Sequence, residues 1–250
     1  MASKNTNIGA KRARDTRTAL GIDATAPLGC VLTVVERDLG LPVVVAALPE
    51  GIAGCCWRDG SRTVLWVNGT QAAVRQRFTL AHEVGHVRCG HDHDVPVETV
   101  ETIGGKSTDD REIQANAFAA ELLAPAAGIR AMLAGEPSLE DVVLIAARYG
   151  ISTIAALYRL NTLGLTSRYE AFGQEIADGL DEAVWASIAP EVVADAIAAI
   201  GRGSLPRLSP ALQGSALAAV AGGAASVGAA AGAAGCDPDR LASGAAAIGV

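Results

Sequence analysis

All four histidines of the 250-residue chain lie in one segment, TLAHEVGHVRCGHDHD, over residues 79–94. His82 and His86 belong to the pattern H-E-x-x-H, and residues four apart on a helix lie one turn apart on the same face. Two imidazole nitrogens placed in this way can bind one metal ion. Glu83 lies near the same face without being a ligand, which is the arrangement of a zinc hydrolase with a glutamate as general base.

A catalytic zinc site uses a third protein ligand and leaves the fourth position to water. One source of this ligand is the loop that follows the histidines. A metzincin-type pattern has glycine seven residues and a ligand ten residues after the first histidine. In this sequence Cys89 stands at the glycine position and Asp92 at the ligand position. The nearest glycine, Gly90, comes one residue too late, and His91 and His93 flank the ligand position without occupying it.

Glu112 and Glu121, in the next helical segment, are the other sources. They are nine residues apart, a rotation of about 900°, so only one of them can face the ion. The face of Glu112 carries small or polar residues, and the face of Glu121 carries residues suited to packing. The residues on the face of Glu112 are Ala115, Asn116 and Ala119, and those on the face of Glu121 are Ala117 and Phe118. We therefore expect Glu112 to be the third ligand.

Short apolar runs before the histidines predict a sheet. The segments LPVVVAAL, GIAGCCW and TVLWVNG are typical of buried strands, and Asp59-Gly60 suits a tight hairpin between the last two. We expect a small, antiparallel sheet over residues 41–68. TVLWVN could bind a substrate backbone by strand addition.

Helices are predicted after this sheet. Leu80, Val84 and Val87 form one apolar stripe on a helix that ends near Gly90. Residues 91–108 predict a loop. The next helix is predicted to begin around Ser107 to Asp109 and to stop at Pro125. Two further helices are expected around Tyr149-Gly150, with Ser138 and Ser152 as N-caps. The pair resembles a helix-turn-helix, but a packing unit is the favoured interpretation.

The segments RQRFTLAHEVGH and EIQANAFAAELLAP together resemble the ImmA/IrrE family of bacterial and phage-borne metallopeptidases. That family has the pattern R-F-T-x-A-H-E-x-G-H, followed by E-x-x-A-N-x-F-A-x-x-L-L-x-P. The later segment ARYGISTIAALYRLNTLGL is similar to the helical segment that follows in such proteins. The resemblance implies an α+β fold in which a small antiparallel sheet packs on a zincin-type helical core.

The resemblance also implies a function. His82, His86 and Glu112 would bind Zn²⁺, and Glu83 would be the catalytic acid/base of an endopeptidase. The implied substrate is a helix-turn-helix repressor, cleaved to relieve transcriptional repression. Candidates for stabilising the oxyanion are Tyr149, His91, His93 and Arg77. The favoured interpretation of His91 and His93 is that they are loop residues, either exposed or hydrogen-bonded to a metal-binding side chain.

Two alternatives use the same residues differently. The chain could be a non-catalytic regulator that contains zinc and acts by binding its partner. It could also be a transcription factor, through the paired helices and the basic N-terminus. The net charge of −7 argues against direct nucleic-acid binding.

The expected organisation has four parts. Residues 1–21 form a flexible basic tail, 22–135 the metallopeptidase domain, 136–170 the paired helices, and 171–250 an Ala/Gly-rich region that is helical or partly disordered. This last region has no charge for 28 residues, but alanine and glycine supply too little transfer energy for a membrane span to be expected. Five unevenly spaced cysteines and the lack of an apolar signal segment predict a cytoplasmic location.

Overall fold

A computed structural model describes residues 3–59, 62–91, 98–99, 108–187, 207–208 and 226. The architecture is mixed α+β, as the sequence predicts. The strands are β1 (Val43–Ala46), β2 (Ile52–Asp59), β3 (Arg62–Asn68), β4 (Glu98–Thr99) and β5 (Arg207–Leu208). The helices are α1 (Lys4–Ala19), α2 (Val31–Thr33, continued by a π-helical turn, Val34–Asp38), α3 (Ala73–Cys89), α4 (Asp110–Leu123), α5 (Ala126–Met132), α6 (Leu139–Tyr149), α7 (Thr153–Thr162), α8 (Tyr169–Ala177) and α9 (Leu180–Ser187).

The sheet has the strand order β4-β2-β3-β1-β5 and is mixed. β2 pairs with β3 in antiparallel fashion, but β1 pairs with β3 in parallel, with Val43 opposite Leu65. The prediction of an antiparallel sheet over residues 41–68 is therefore wrong for β1. β3 is the central strand of this order, and its Leu65 and Val67 side chains are buried. Gly60, in the predicted hairpin turn, lies outside the described residues.

Residues 4–19 are helical, so the prediction of a flexible basic tail over 1–21 is wrong there. Ser3 caps this helix by accepting a hydrogen bond from the Thr6 amide. The buried face of α1 carries Gly9, Ala13, Thr16 and Arg17 and packs on α4.

The Arg17 guanidinium anchors α1 from inside the protein. It donates hydrogen bonds to the carbonyls of Leu122 (2.7 Å), Asp23 (2.6 Å) and Ala26 (2.5 Å). This charge thus ties the N-terminal helix to the end of α4 and to the loop before α2.

α4 lies against both α1 and α3 and is the central helix of this region. α3 buries Leu80 and Val84 of the predicted stripe in the core. A methyl group on Gly85 would lie 3.0 Å from Cα of Ala115 and 3.1 Å from its carbonyl oxygen. Because glycine leaves that space open, the backbones of α3 and α4 approach closely at this point. This close approach sets the distance between side chains on the facing surfaces of the two helices.

The predicted N-caps of α6 and α7 are confirmed. Ser138 forms a capping box with Asp141, and Ser152 accepts a hydrogen bond from the Ala155 amide. The two helices meet at 107°. No single helix in the described part of the chain is long and apolar enough to cross a bilayer, although this bent pair passes the same test when the two are taken together.

The Ala/Gly-rich region is described only in part. Its first part contains α9 and most of α8. The uncharged stretch over residues 209–236 lies, apart from Ser226, outside the described residues, and so does Cys236.

Candidate metal centre

His82 and His86 project from α3, and Glu112 projects from the first turn of α4, into one buried space. Nε2 of His82 lies 2.9 Å from Nε2 of His86. The Glu112 carboxylate oxygens lie 3.2 Å from Nε2 of His82 and 3.4 Å from Nε2 of His86. Within the described ranges, this is the one group of three metal-ligating side chains whose donor atoms converge on a common point.

The spacing of these atoms fits a metal ion. Ligands at about 2.0–2.1 Å from a tetrahedral zinc ion are separated from one another by about 3.3 Å. The three distances of 2.9, 3.2 and 3.4 Å lie within a few tenths of an ångström of that value. Two imidazoles and one carboxylate are also the donor set of one class of catalytic zinc sites.

The second nitrogen of each imidazole is held by a neighbour. Nδ1 of His82 lies 3.0 Å from Oδ1 of Asn116, to which it can only donate. Nδ1 of His86 lies 3.0 Å from Nδ1 of His91. Both contacts orient the rings so that the two Nε2 atoms face each other and Glu112.

The surroundings keep the His86 ring neutral. Burial, together with the nearby His82 ring, lowers the pKa of His86 to about 3, although the Glu112 carboxylate opposes this shift. A neutral imidazole has a free electron pair for a metal ion, whereas a protonated imidazole has none.

Glu83, the residue after His82, is fully buried. β2 passes beside it: a methyl group on Gly54 would lie 3.2 Å from Oε1 of Glu83 and 2.6 Å from Cγ2 of Thr79. The carboxylate therefore lies in the narrow space between α3 and the sheet, on the same helix as the two histidines.

Glu121, the competing candidate for third ligand, faces elsewhere. Its carboxylate forms a buried ion pair with Arg159 of α7 and lies 3.5 Å from Nη1 of Arg14 of α1. The opposite orientation of Glu112 and Glu121 predicted from their spacing is thus observed, and Glu121 joins α4 to its neighbouring helices.

The loop candidates also separate from the group. Cys89 is the last residue of α3, does not belong to the converging group, and has its pKa raised to about 11 by burial. Asp92 and His93 lie outside the described residues.

Three of the candidates for oxyanion stabilisation have other contacts. The Tyr149 hydroxyl donates to the Thr25 carbonyl at 3.1 Å, and the Arg77 guanidinium donates to the Gly29 carbonyl at 2.7 Å. Both side chains therefore hold the backbone before α2. His91 contacts His86 and Gln114 through its two ring nitrogens.

β3 does not offer an edge for strand addition. It is hydrogen-bonded to β2 on one side and to β1 on the other, so the prediction that TVLWVN binds a substrate strand is wrong. β2 is the strand that lies next to Glu83.

A mixed sheet packed against α3, which together with α4 presents two histidines and a glutamate, fits a zincin-like metallopeptidase fold. In keeping with this class, residues 38–161 match the Peptidase_M78 family model, which is described as the IrrE N-terminal-like domain. Residues 38–161, about half of the chain, thus carry an IrrE N-terminal-like domain of the ImmA/IrrE metallopeptidase family.

One curated relative is the radiation response metalloprotease IrrE of Deinococcus radiodurans. It is 34% identical to this chain over 110 residues, which cover 42% of this chain and 34% of the relative. The chain thus matches about a third of the relative's length. α1, α8 and α9 lie outside the part matched by the family model.

Two residues near the centre were not singled out from the sequence. Gln114 contacts His91, and Asn5 of α1 contacts Gln114. Residues two apart on a helix do not face the same side, so the position of Gln114 two residues after Glu112 did not mark it as part of the site. Nothing local to Asn5 links it to a site more than a hundred residues away.

Proposed function

We propose that the protein is a zinc-dependent endopeptidase. The observation that carries this proposal is the convergence of two imidazole nitrogens and a carboxylate from two helices in one buried space. His82, His86 and Glu112 would hold the ion, in the H-E-x-x-H arrangement plus one carboxylate that zinc peptidases use.

Glu83 is the proposed general base and acid. The ion, when bound, would supply Lewis-acid polarisation of the substrate carbonyl and lower the pKa of a bound water. Glu83 accepts a proton from the attacking water as the new C–O bond forms at the peptide carbonyl carbon. The same carboxyl then gives this proton to the departing amine nitrogen as the C–N bond breaks.

We also propose that the substrate is a helix-turn-helix transcriptional repressor in the cytoplasm, cleaved at one site to relieve repression. Support for this comes from the family resemblance of residues 38–161. Direct contact with nucleic acid is not expected, because the chain carries a net charge of −7.

Incubation of the zinc-loaded protein with a candidate helix-turn-helix repressor tests this function. We expect a pair of defined fragments from the wild-type protein. Glu83→Gln, which keeps the size of the side chain but removes the base, should lower the rate by about 10²–10⁴-fold. Glu170→Gln, an exposed position on α8, is the matched control and should cleave at the wild-type rate.

The outcome separates two functions. Equal cleavage by Glu83→Gln would contradict the role of Glu83. A tight complex with the repressor, without new fragments and with stoichiometric zinc bound, would instead favour a non-catalytic regulator that acts by binding.

A further inference from the structure

We propose that a chain of hydrogen bonds from His86 through His91 and Gln114 to Asn5 makes the N-terminal helix part of the metal centre. This inference rests on the proposed metal site but goes beyond it. It assigns a positioning role to His91 and a metal-retaining role to α1, a helix outside the part of the chain matched by the family model.

The end of α3 places His91 against His86. Gly90 has a left-handed backbone with φ of 72°, and the His91 amide donates to the His86 carbonyl at 3.0 Å. This six-to-one hydrogen bond is that of a Schellman motif, in which the chain reverses over the last helical turn. The reversal folds the His91 ring back onto the His86 ring, at 5.0 Å between ring centroids.

Three contacts then follow in one line. Nδ1 of His91 lies 3.0 Å from Nδ1 of His86, and Nε2 of His91 lies 3.2 Å from Oε1 of Gln114. Nε2 of Gln114 donates to Oδ1 of Asn5 at 3.0 Å. His91 is buried, with 8% of its surface exposed, so the first of these contacts is shielded from water.

Metal binding would determine which group donates and which accepts in each of these hydrogen bonds. A neutral His86 that gives the electron pair of Nε2 to an ion carries its proton on Nδ1 and donates it to His91. His91 accepts at Nδ1, so its own proton is on Nε2, which donates to the side-chain oxygen Oε1 of Gln114. The Gln114 amide group in turn donates to Asn5, so every contact has one donor and one acceptor.

The packing of α1 on α4 holds the far end of the chain in place. A methyl group on Gly9 would lie 2.0 Å from the backbone carbonyl oxygen of Gln114 and 3.0 Å from Cβ of Ala117. Gly9 therefore allows α1 to approach the backbone of α4 at Gln114. Asn5 is four residues earlier, on the same face of α1, where its side chain reaches the Gln114 amide.

Zinc affinity measured by competition with a chromophoric chelator tests the proposal on the full chain. Outer contacts of metal-ligating histidines typically contribute about 10–100-fold in metal affinity. We expect His91→Phe, which keeps a ring but removes both nitrogens, to weaken zinc binding by about tenfold or more. Asn5→Ala should weaken it by a smaller factor, since it removes only the terminal acceptor.

The double variant distinguishes a hydrogen-bonded chain from general support by α1. If Asn5 acts through His91, His91→Phe combined with Asn5→Ala should bind zinc no more weakly than His91→Phe alone. Asn7→Ala, an exposed asparagine on the same helix, is the matched control and should leave the affinity unchanged. If the two substitutions instead weaken zinc binding by independent factors that multiply in the double variant, the hydrogen-bonded chain is contradicted.

The protonation of the rings gives a readout that requires no mutation. In ¹⁵N-histidine spectra of the zinc-loaded wild-type protein, His86 should carry its proton on Nδ1 and His91 on Nε2. A proton on Nδ1 of His91 would overturn the proposal.

The failures of the two proposals can be told apart. A wild-type protein that binds no zinc refutes the metal site and the chain together. If the wild-type protein and His91→Phe bind zinc equally tightly, the hydrogen-bonded chain is refuted and the proposed peptidase stands.

Discussion

His82 and His86 point to one place because four residues make slightly more than one turn of an α-helix. Their Nδ1 atoms are held by Asn116 and His91, so the Nε2 atoms face Glu112. At this scale the proposed site depends on three donor atoms and on the contacts that fix the rotation of each ring.

Glu112 and Glu121 provide a matched pair of substitutions on one helix. Glu112→Gln should abolish stoichiometric zinc binding, because it removes the carboxylate that faces the two imidazoles. Glu121→Gln should retain zinc but lower the free energy of unfolding by about 3–5 kcal/mol, since it leaves Arg159 buried without its charged partner. Elemental analysis of the folded fraction and denaturant unfolding measure the two effects. Zinc loss in Glu121→Gln together with zinc retention in Glu112→Gln would reverse the assignment.

The sequence predicted the convergence of His82, His86 and Glu112, because helical spacing and the small residues around Glu112 are local properties. The sequence did not decide whether His91 is exposed or forms a hydrogen bond with one of the metal-binding side chains. The choice depends on the reversal of the chain at Gly90 and on Gln114, which reaches His91 from another helix. Such contacts depend on tertiary packing and have no local pattern.

At the scale of elements, the distance between α3 and α4 decides whether Glu112 reaches the histidines. Gly85 sets this distance, because a methyl group there would meet the Ala115 backbone at 3.0–3.1 Å and Cβ of Phe118 at 3.2 Å. These contacts are tight and involve backbone atoms, so the helices would have to separate slightly to accept a side chain.

Gly85→Ala tests the role of this close approach. Overpacking of this kind costs typically about 1–3 kcal/mol, and the larger separation should also weaken zinc binding by moving Glu112 away from the histidines. Gly173→Ala in α8 is the control: nothing lies within 4 Å of the added methyl group, so we expect unchanged or slightly higher stability, with unchanged zinc affinity. Wild-type zinc affinity and stability in Gly85→Ala would show that the spacing of α3 and α4 is not set at this glycine.

The elements around the site were predictable to different degrees. α3 was predicted by its apolar stripe, and α6 and α7 by their serine caps, all of which are local signals. α1 was missed because its buried face consists of Gly9, Ala13, Thr16 and Arg17, which show no apolar periodicity. The parallel pairing of β1 with β3 was missed because strand order and direction depend on contacts between strands, which the residues of one strand do not reveal.

At the scale of the whole molecule, α4 is the element on which the other parts meet. α1 and α3 pack against it, and Arg159 joins it to α7 through Glu121. A metal ion shared by α3 and α4 would therefore stabilise the arrangement of the core as well as the site.

Removal of the metal should lower the thermal stability of the whole protein. A ligand that binds only the folded state adds about 4 kcal/mol when its free concentration is about 1,000 times its Kd. We expect a chelator to lower the Tm of the wild-type protein, and zinc to restore it. Glu112→Gln should show the same Tm with and without the chelator, because it has no complete site to empty. A chelator-induced shift in Glu112→Gln as large as that of the wild-type protein would place the stabilising metal elsewhere.

X-ray absorption at the zinc edge of the stoichiometrically loaded protein tests most directly whether the ion is held by His82, His86 and Glu112. The expected spectrum has nitrogen and oxygen neighbours at about 2.0–2.2 Å, with the outer scattering of two imidazole rings. A sulfur neighbour at about 2.3 Å, as a cysteine ligand such as Cys89 would give, would contradict the assignment. The absence of stoichiometric zinc from the purified protein would contradict it as well.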